Sequence, residues 1–298
     1  MNGAAVIIGS AGQDGTLLAR AIGSEREVIG VDVGDLDVTD TASVTGAIAR
    51  IRPAQLYYLA AAHHSSEERI ELSSELRRGF DVHVRGCANV LEAVARHAPE
   101  CRVFFAGSSQ MFGTPREPTQ DETTPFAPRT PYGITKVAGA HVCHAYRERG
   151  LHVSVGILYN HESPLRGPRF VSQRIARGVH AARRSGTKLR LGALDAVCDW
   201  GYAPDFVDAM RRIVEQAAPD DYVVASGEGH TVRELAAIAF EHVGLDLDSY
   251  VEVDANFVQT SGAIIVGNTA RLRSRTGWRP TVTFEQLVRL LVAAAEAT

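Results

Sequence analysis

The 298-residue chain has few cysteines, no long apolar run and no excess of basic residues. Its four cysteines, Cys87, Cys101, Cys143 and Cys198, lack C-x-x-C spacing and lie among apolar residues, which predicts reduced, buried thiols and neither disulfides nor a zinc site. No stretch approaches the roughly 20 apolar residues of a membrane span, and the first residues lack the basic segment of a secretory signal. We therefore expect a cytoplasmic protein that does not bind a membrane.

The charge balance argues against nucleic acid as a partner. The chain has 31 Lys and Arg against 35 Asp and Glu, a formal charge of -4, whereas proteins that follow a phosphate backbone carry a basic excess. The sequence therefore argues against nucleic-acid binding. His141 and His144 share a helical face but lack a third ligand, so no metal site is predicted.

Short apolar strands alternate with amphipathic helices over the first 160 residues. The predicted strands are 4–9, 27–32, 54–61, 101–108 and 152–160, and the predicted helices are 13–23, 41–51, 84–98 and 131–149. Such alternation is typical of parallel βαβ units covered on both faces. We predict an α/β fold, with a Rossmann doubly wound parallel sheet over 1–160 that binds NAD(P). A smaller C-terminal α/β lobe over 161–298 would bind the substrate, with some of its segments free to return to the first domain.

Three glycines follow the first predicted strand. Gly9, Gly12 and Gly15 form a G-x-x-G-x-x-G pattern that spans the turn into the first helix. Glycines there let the backbone approach a pyrophosphate, and the helix N-terminus offers free N–H groups. The pattern and its βαβ setting predict a dinucleotide site.

The acidic residue at the end of the second strand favours NAD over NADP. The Asp32 carboxylate can accept hydrogen bonds from the adenosine ribose and repels a 2′-phosphate, and no arginine follows it. Asp35 and Asp37 remain alternatives for the ribose ligand.

A candidate catalytic set follows the fourth strand. Tyr132 and Lys136 are one helical turn apart, so an ammonium group is expected to lower the pKa of the phenol. Ser108 ends a strand whose carboxyl edge should face the cofactor, and its hydroxyl can bind the same substrate oxygen as the phenol. These residue types predict oxidation of a hydroxyl with hydride transfer to the nicotinamide.

The chain resembles the extended short-chain dehydrogenases/reductases of the sugar-nucleotide epimerase/dehydratase branch. Within that branch it is most similar to the GDP-mannose 4,6-dehydratases. The segments that carry the resemblance are "GSAGQDGTLLA" (9–19), "DVTD" (37–40), "YLAA" (58–61), "ETTPFAPRTPYGITK" (122–136), "GILYNHESPLRGPRFVSQRI" (156–175), "LGALDAVCDWGYAPDFVDAM" (191–210) and "TGWRPTVTF" (276–284). The resemblance implies that the substrate is a sugar nucleotide, with a GDP-sugar favoured. It implies that this substrate lies between the two lobes and is oxidised transiently at carbon 4. It also implies a homodimer formed through the helices near 84–98 and 131–149.

The resemblance extends the candidate site residue by residue. It implies further cofactor contacts at Gln13, Asp14, Asp37, Val38, Leu59, Ala60 and Ala61. It implies substrate contacts at Asn160, His161, Arg174 and Arg190. It adds Ser109 and Gln110 to the catalytic strand end.

Gln110 departs from the dehydratase pattern. It stands where those enzymes carry the glutamate that removes the proton at carbon 5, and a glutamine cannot take that proton. Losing a general base costs about 10²–10⁴-fold, so elimination across carbons 5 and 6 is disfavoured unless His161 or Glu162 replaces it. Cys198 and Val258 stand where the family carries arginines that hold nucleotide or diphosphate, which removes charge-assisted hydrogen bonds unless Arg174, Arg190 or another arginine substitutes.

Four functions remain open on the sequence. The leading hypothesis is a redox-neutral sugar-nucleotide epimerase that retains NAD through its cycle. The alternatives are a 4-ketosugar reductase, a dehydratase with a substitute base, and a non-catalytic protein that senses dinucleotide and binds a partner.

Overall fold

The structure is a computed structural model and describes residues 3–62, 71–254 and 264–296. The first half of the chain alternates strands and helices as predicted. Its elements are β1 (Ala5–Ile8), α1 (Gln13–Ile22), β2 (Val28–Val31), α2 (Thr41–Ile51), β3 (Gln55–Tyr58), α3 (Leu72–Gly79), α4 (Cys87–His97), β4 (Arg102–Ala106), β5 (Thr119–Gln120), α5 (Pro131–Arg147) and β6 (Val153–Leu158). A π-helical stretch, Phe80–Gly86, joins α3 to α4, and a single 3-10 turn, Ser109–Met111, follows β4.

The described part of the second half contains mostly short strands and four helices of 11 to 15 residues. Its elements are β7 (Asn160–Glu162), α6 (Val171–Ser185), β8 (Leu189–Leu191), β9 (Val197–Tyr202), α7 (Ala203–Val214), β10 (Asp221–Val224), β11 (Gly229–Thr231), α8 (Val232–His242), α9 (Leu247–Tyr250), β12 (Val251–Val253), β13 (Val266–Gly267), α10 (Ala270–Thr276) and α11 (Phe284–Glu296). No helix in the described ranges is long and apolar enough to cross a membrane.

Local sequence explains where several helices begin. The Asp40 side chain accepts a hydrogen bond from the Ala42 N–H and begins α2, and the Thr130 hydroxyl accepts one from the Gly133 N–H and begins α5. Thr231 and Glu234 form the reciprocal capping box of α8. These caps satisfy N–H groups that have no partner inside the helix.

Six parallel strands form the central sheet in the order β10-β6-β4-β3-β1-β2. All of these strands except the edge strand β2 are mostly buried, as expected where helices cover both faces of a parallel sheet. The chain runs from β1 outward to β2 and then returns to place β3 on the other side of β1. This reversal opens a crevice at the carboxyl ends of β1 and β3, which is the ligand position in sheets of this kind. The predicted doubly wound α/β fold is confirmed.

The molecule has two apolar cores, and the chain contributes three separate stretches to the first of them. The first core surrounds the sheet and includes Phe206 of α7, Val223 of β10 and Trp278 near the C-terminus. The second core lies among α6, α8 and α11 and includes Trp200 and Phe240. Beyond residue 160 the chain therefore alternates between the two cores: α6 belongs to the second, α7 and β10 to the first, α8 to the second, Trp278 to the first and α11 to the second.

The four cysteines are free thiols, and three of them are buried. Cys87 of α4 and Cys143 of α5 lie closest, with their sulfur atoms 3.7 Å apart. Burial raises the pKa of the Cys101 thiol to about 12 and that of Cys198 to about 11. These thiols stay protonated at neutral pH and act as small apolar side chains.

Candidate active site

The glycine turn after β1 packs tightly enough to explain its composition. A Cβ on Gly15 would lie 2.4 Å from the Gly9 carbonyl oxygen, and Gly9 has a φ of +91°. The Gly9 backbone also passes close to Ala60, since a Cβ on Gly9 would lie 3.0 Å from the Ala60 nitrogen. The predicted cofactor residues Leu59, Ala60 and Ala61 thus follow β3 directly beside this turn. The first turn of α1 begins here, so its N–H groups face the crevice edge of the sheet.

Asp32 holds the glycine turn from the end of β2. Its Oδ2 accepts hydrogen bonds from the Ser10 hydroxyl at 2.7 Å and the Ala11 N–H at 2.9 Å. Its other oxygen has no hydrogen-bond partner in the described part of the chain, so it can accept from a ribose hydroxyl. The two alternative ribose ligands, Asp35 and Asp37, form hydrogen bonds with nearby residues. Asp35 accepts from the Asp32 N–H, and Asp37 accepts from the backbone N–H and the hydroxyl of Thr39. Val38, also predicted to contact the cofactor, is buried.

The strand end after β4 meets the N-terminus of α5. The Ser108 hydroxyl oxygen accepts a hydrogen bond from the Gln110 N–H at 3.2 Å. Ser108 and Ser109 are both 9% exposed, so little of either hydroxyl is open to solvent. The Gln110 backbone lies against α5, where a Cβ on Gly133 would come within 2.5 Å of its carbonyl oxygen. Gln110 is therefore a neighbour of the helix turn that carries Tyr132.

The orientation of the Gln110 amide is fixed by Thr130. The Thr130 hydroxyl accepts from the Gly133 N–H and donates its own proton to Gln110 Oε1 at 2.8 Å. The amide oxygen keeps a second lone pair and the NH₂ has two protons, so Gln110 can hydrogen-bond a ligand but cannot act as a base. The site thus presents a hydrogen-bond donor where the resemblance implies a base.

Lys136 lies one turn beyond Tyr132 on α5, in a buried position. Its Nζ donates to the Ala106 carbonyl oxygen at 2.7 Å and lies 5.6 Å from the centroid of the Tyr132 ring. The side chain is 1% exposed, and burial lowers its pKa from 10.5 to about 8. The helix spacing therefore brings the two groups together as predicted, but the ammonium is bonded to the end of β4.

The expected lowering of the Tyr132 pKa is wrong for the protein alone. Burial raises the pKa of the phenol above its usual value, and this effect exceeds the opposing charge of Arg166. The physical reason is that desolvation of a phenolate outweighs a cation that is not in direct contact with it. At neutral pH the phenol holds its proton.

His83 was not identified from the sequence, although it contacts the helix that carries Tyr132. It lies in the π-helical stretch, is fully buried, and its ring meets that of Tyr132 edge to face at a centroid distance of 5.3 Å. Its Nε2 accepts from the Ala62 N–H at 3.0 Å, so its Nδ1 carries the proton and donates to Thr135 Oγ1 at 2.8 Å. Single-turn π-helical bulges are frequent at functional sites. The sequence gives one signal for this residue, a histidine placed one turn before a helix that has no obvious N-cap.

His161 forms a buried ion pair with Asp14. The ring Nε2 lies 2.9 and 3.0 Å from the two Asp14 oxygens, and Nδ1 donates to the Tyr159 carbonyl oxygen at 2.6 Å. Burial by itself would lower the pKa of His161, but the Asp14 carboxylate raises it overall. The ring is therefore an imidazolium that donates from both nitrogens, and no nitrogen is left for a substrate.

The two substitute bases suggested by the sequence are both engaged. The His161 imidazolium has no lone pair with which to accept a proton. Glu162 is 3% exposed, accepts from the Ser172 hydroxyl at 2.6 Å and lies 3.4 Å from Arg166 Nε. Both candidates are thus bonded to other residues of the chain, and the hypothesis that either one replaces the missing glutamate stays a prediction.

The remaining substrate candidates lie at the edge of the second lobe. Asn160 follows β6 and is exposed. Arg174 of α6 donates to the Arg190 carbonyl oxygen at 2.7 Å, and the Arg190 guanidinium pairs with Asp254 at 3.1 Å. The two arginines are thus neighbours, and their substrate role stays a prediction. Cys198 lies in β9, next to the second core, and Val258 lies outside the described residues.

Comparisons with known proteins identify the family of this chain. The sequence profile of a family described as GDP-mannose 4,6 dehydratase matches residues 30–291. The GDP-mannose 4,6 dehydratase 2 of Arabidopsis thaliana is 41% identical over 264 residues, which are 86% of this chain and 69% of the plant protein. The chain belongs to the GDP-mannose 4,6-dehydratase family. The human GDP-mannose 4,6 dehydratase is 32% identical over 281 residues, 87% of this chain and 74% of its own length. Membership of this family identifies the chain as an enzyme.

Solved structures extend the agreement to the fold of the whole chain. A UDP-glucose 4-epimerase from Thermus thermophilus, solved in complex with NAD, has a TM-score of 0.81 at 23% identity and covers 99% of both chains. The protein called RMD from Pseudomonas aeruginosa, complexed with NADPH, has a TM-score of 0.86 at 22% identity over 99% of both chains. Both share the central parallel sheet and the smaller lobe with this member of the dehydratase family.

Proposed function

We propose that this protein is a sugar-nucleotide epimerase that oxidises a GDP-sugar at carbon 4 and restores it in the opposite configuration. When bound, NAD supplies the chemistry at carbon 4 by accepting the hydride and later returning it. Tyr132 takes the proton of the 4-hydroxyl in the oxidation and gives it back in the reduction. Ser108 donates a hydrogen bond to the same oxygen in both directions. The cycle is redox-neutral, because each proton and hydride removed is restored.

The amide at Gln110 is the observation that carries this proposal over dehydration. Removal of the proton at carbon 5 needs a base, and the Gln110 oxygen already accepts from Thr130 while its NH₂ can only donate. His161 and Glu162, the other candidate bases, are committed to Asp14 and to Ser172 and Arg166. An oxidation at carbon 4 that leaves carbon 5 untouched fits this donor set.

NAD fits the residues around the glycine turn. The close approach of Gly9 and Gly15 leaves room for a pyrophosphate beside the start of α1, and the free oxygen of Asp32 suits a ribose diol. The same carboxylate disfavours a 2′-phosphate by charge repulsion. A neighbour in fold that was solved in complex with NAD, the Thermus thermophilus protein, is named a UDP-glucose 4-epimerase.

The raised pKa of Tyr132 supports a second candidate, a 4-ketosugar reductase. A phenol that holds its proton is ready to donate it to a ketone oxygen, which is the reductive half of the reaction. The oxidative half needs positive charge near the phenol, and the Lys136 ammonium provides it only as it turns from the Ala106 carbonyl oxygen. The two candidates differ in whether reduced cofactor is consumed.

The test is incubation of the purified chain with GDP-mannose and other sugar nucleotides in deuterated water, without added cofactor. The epimerase proposal expects a carbon 4 stereoisomer that carries no solvent deuterium, because the hydride stays on the bound cofactor. Deuterium at carbon 5, or loss of water, would overturn it in favour of dehydration. Turnover that appears only with added NADH and a 4-ketosugar would establish the reductase instead.

A further inference from the structure

The Asp14–His161 pair lies where a dinucleotide must bind. Asp14 is the second residue of α1, so its carboxylate sits at the positive end of the helix, beside the glycine turn. A pyrophosphate seeks the same N–H groups and the same helix dipole. A carboxylate there competes with the cofactor unless another group neutralises it.

His161 supplies that neutralising charge from the other side of the crevice. It reaches Asp14 across 147 positions of sequence, from the segment that begins the second lobe. The ring is stacked on Phe206 at a centroid distance of 4.6 Å, and the Tyr159 carbonyl fixes its Nδ1. Two contacts therefore hold the imidazolium against the Asp14 carboxylate.

The neighbouring side chains reinforce the same link between the two lobes. Gln13 Nε2 donates to the His161 carbonyl oxygen and to Asp14 Oδ1, both at 3.1 Å, and Gln13 Oε1 accepts from the Ser163 hydroxyl at 2.8 Å. The other charges nearby, Glu162 and Arg166, face each other at 3.4 Å. The charge of Arg166 also lowers the pKa of Asp14, but His161 is the cation in direct contact with that carboxylate.

We propose that His161 is a positioning residue for the cofactor, which neutralises Asp14 at the start of α1 so that the pyrophosphate of the dinucleotide can bind there. The inference rests on the proposed dinucleotide site. It predicts that the two partners of one ion pair have opposite effects on cofactor affinity. Loss of the imidazolium leaves an unmatched carboxylate beside the pyrophosphate, whereas loss of the carboxylate removes the competitor.

The test is calorimetric titration of NAD and of NADP into the full chain, stripped of bound nucleotide, and into four variants. His161→Gln should weaken binding of both dinucleotides by about tenfold or more, because breaking a buried pair leaves an uncompensated charge. Asp14→Asn should bind at least as tightly as wild type. The double variant Asp14→Asn/His161→Gln, which keeps two amides able to hydrogen-bond, should return to within about threefold of wild type.

His144→Gln is the matched control. His144 Nε2 lies 2.7 Å from Asp221 Oδ2 near the far end of α5, so the same substitution breaks a His–Asp pair away from the glycine turn, where Arg147 still pairs with Asp221. Its cofactor affinity should equal that of wild type. A merely structural role for His161 would lower the melting temperature of both His→Gln variants and leave the NAD affinity of both unchanged.

The outcomes separate this inference from the proposed function. If wild type binds NAD and His161→Gln binds it equally well, or if the double variant does not recover, the inference is overturned and the cofactor proposal stands. If wild type binds neither dinucleotide, the cofactor proposal itself fails. Should His161→Gln not fold, nitrogen NMR of the wild-type His161 ring at pH 8 decides: two protonated nitrogens support the pair, and a neutral ring overturns it.

Discussion

The Thr130 hydroxyl donates a hydrogen bond to Gln110 Oε1 over 2.8 Å. The same hydroxyl begins α5 by accepting from the Gly133 N–H. One side chain therefore places the helix that carries Tyr132 and Lys136 and also holds the Gln110 amide. The chemistry open to this family member follows from that arrangement.

Gln110→Glu is expected to introduce exchange at carbon 5. A carboxylate held by the Thr130 hydroxyl can accept a proton where the amide cannot, and a placed general base contributes about 10²–10⁴-fold. The measurement is deuterium incorporation from solvent into carbon 5 of a sugar nucleotide. Gln110→Leu, which has a similar size and no base, serves as the control and should show none. Equal exchange in wild type and Gln110→Glu would show that another base already acts.

Tyr132→Phe is expected to reduce turnover by about 10²–10⁴-fold or more, because the only proton acceptor proposed for the sugar hydroxyl is lost. NAD affinity should change little, which is measured by titration. Tyr146→Phe is the control on the same helix, since its hydroxyl bonds Glu92 at 3.0 Å and lies away from the site. A non-catalytic dinucleotide sensor would lose nothing in either variant.

Asp32→Asn is expected to weaken the preference for NAD over NADP. The amide oxygen can still accept from Ser10 and Ala11, but the charge that repels a 2′-phosphate is gone, so the ratio of the two affinities should shift by about tenfold or more. Titration with each dinucleotide measures this ratio. The matched variant Asp37→Asn should keep it, and a larger shift in Asp37→Asn would make Asp37 the ribose ligand.

Lys136→Met is expected to abolish turnover and stabilise the fold at neutral pH. The pKa of Lys136 falls from 10.5 in the unfolded chain to about 8 when buried. Below pH 8 the Lys136 amine is protonated in both the folded and the unfolded chain. Folding must then bury a charged ammonium, which lowers the stability of the fold. Between about pH 8 and 10.5 only the unfolded chain binds the proton, so wild-type stability rises relative to the variant. The variant should therefore be more stable by about 1–2 kcal/mol at pH 7, after loss of the bond to Ala106.

Urea unfolding of both proteins at pH 7 and pH 10.5 measures this difference. We expect the gap between Lys136→Met and wild type to narrow at the higher pH, since other titrating groups are common to both. A gap that does not change with pH would show that the Lys136 ammonium is stabilised in the fold by groups other than the Ala106 carbonyl.

The sequence by itself determined the features that depend on neighbours within a few turns of chain. Alternating apolar segments predicted the strands β1, β2, β3, β4 and β6 and the helices α1, α2, α4 and α5. The glycine spacing predicted the turn before α1, and a four-residue spacing placed Tyr132 and Lys136 on one face. These follow from backbone periodicity and from side chains that contact residues nearby in sequence. The family resemblance likewise rests on such short segments.

Only the tertiary structure decided what the polar side chains are bonded to. His161 is a partner of Asp14 rather than a free base, Lys136 is bonded to Ala106, and a buried His83 lies against Tyr132. Each contact joins residues from separate elements, and hydrogen-bond partners across such distances leave no periodic trace in the sequence. Burial, which raises the pKa of Tyr132 and lowers that of Lys136, is likewise set by the packing of the whole chain.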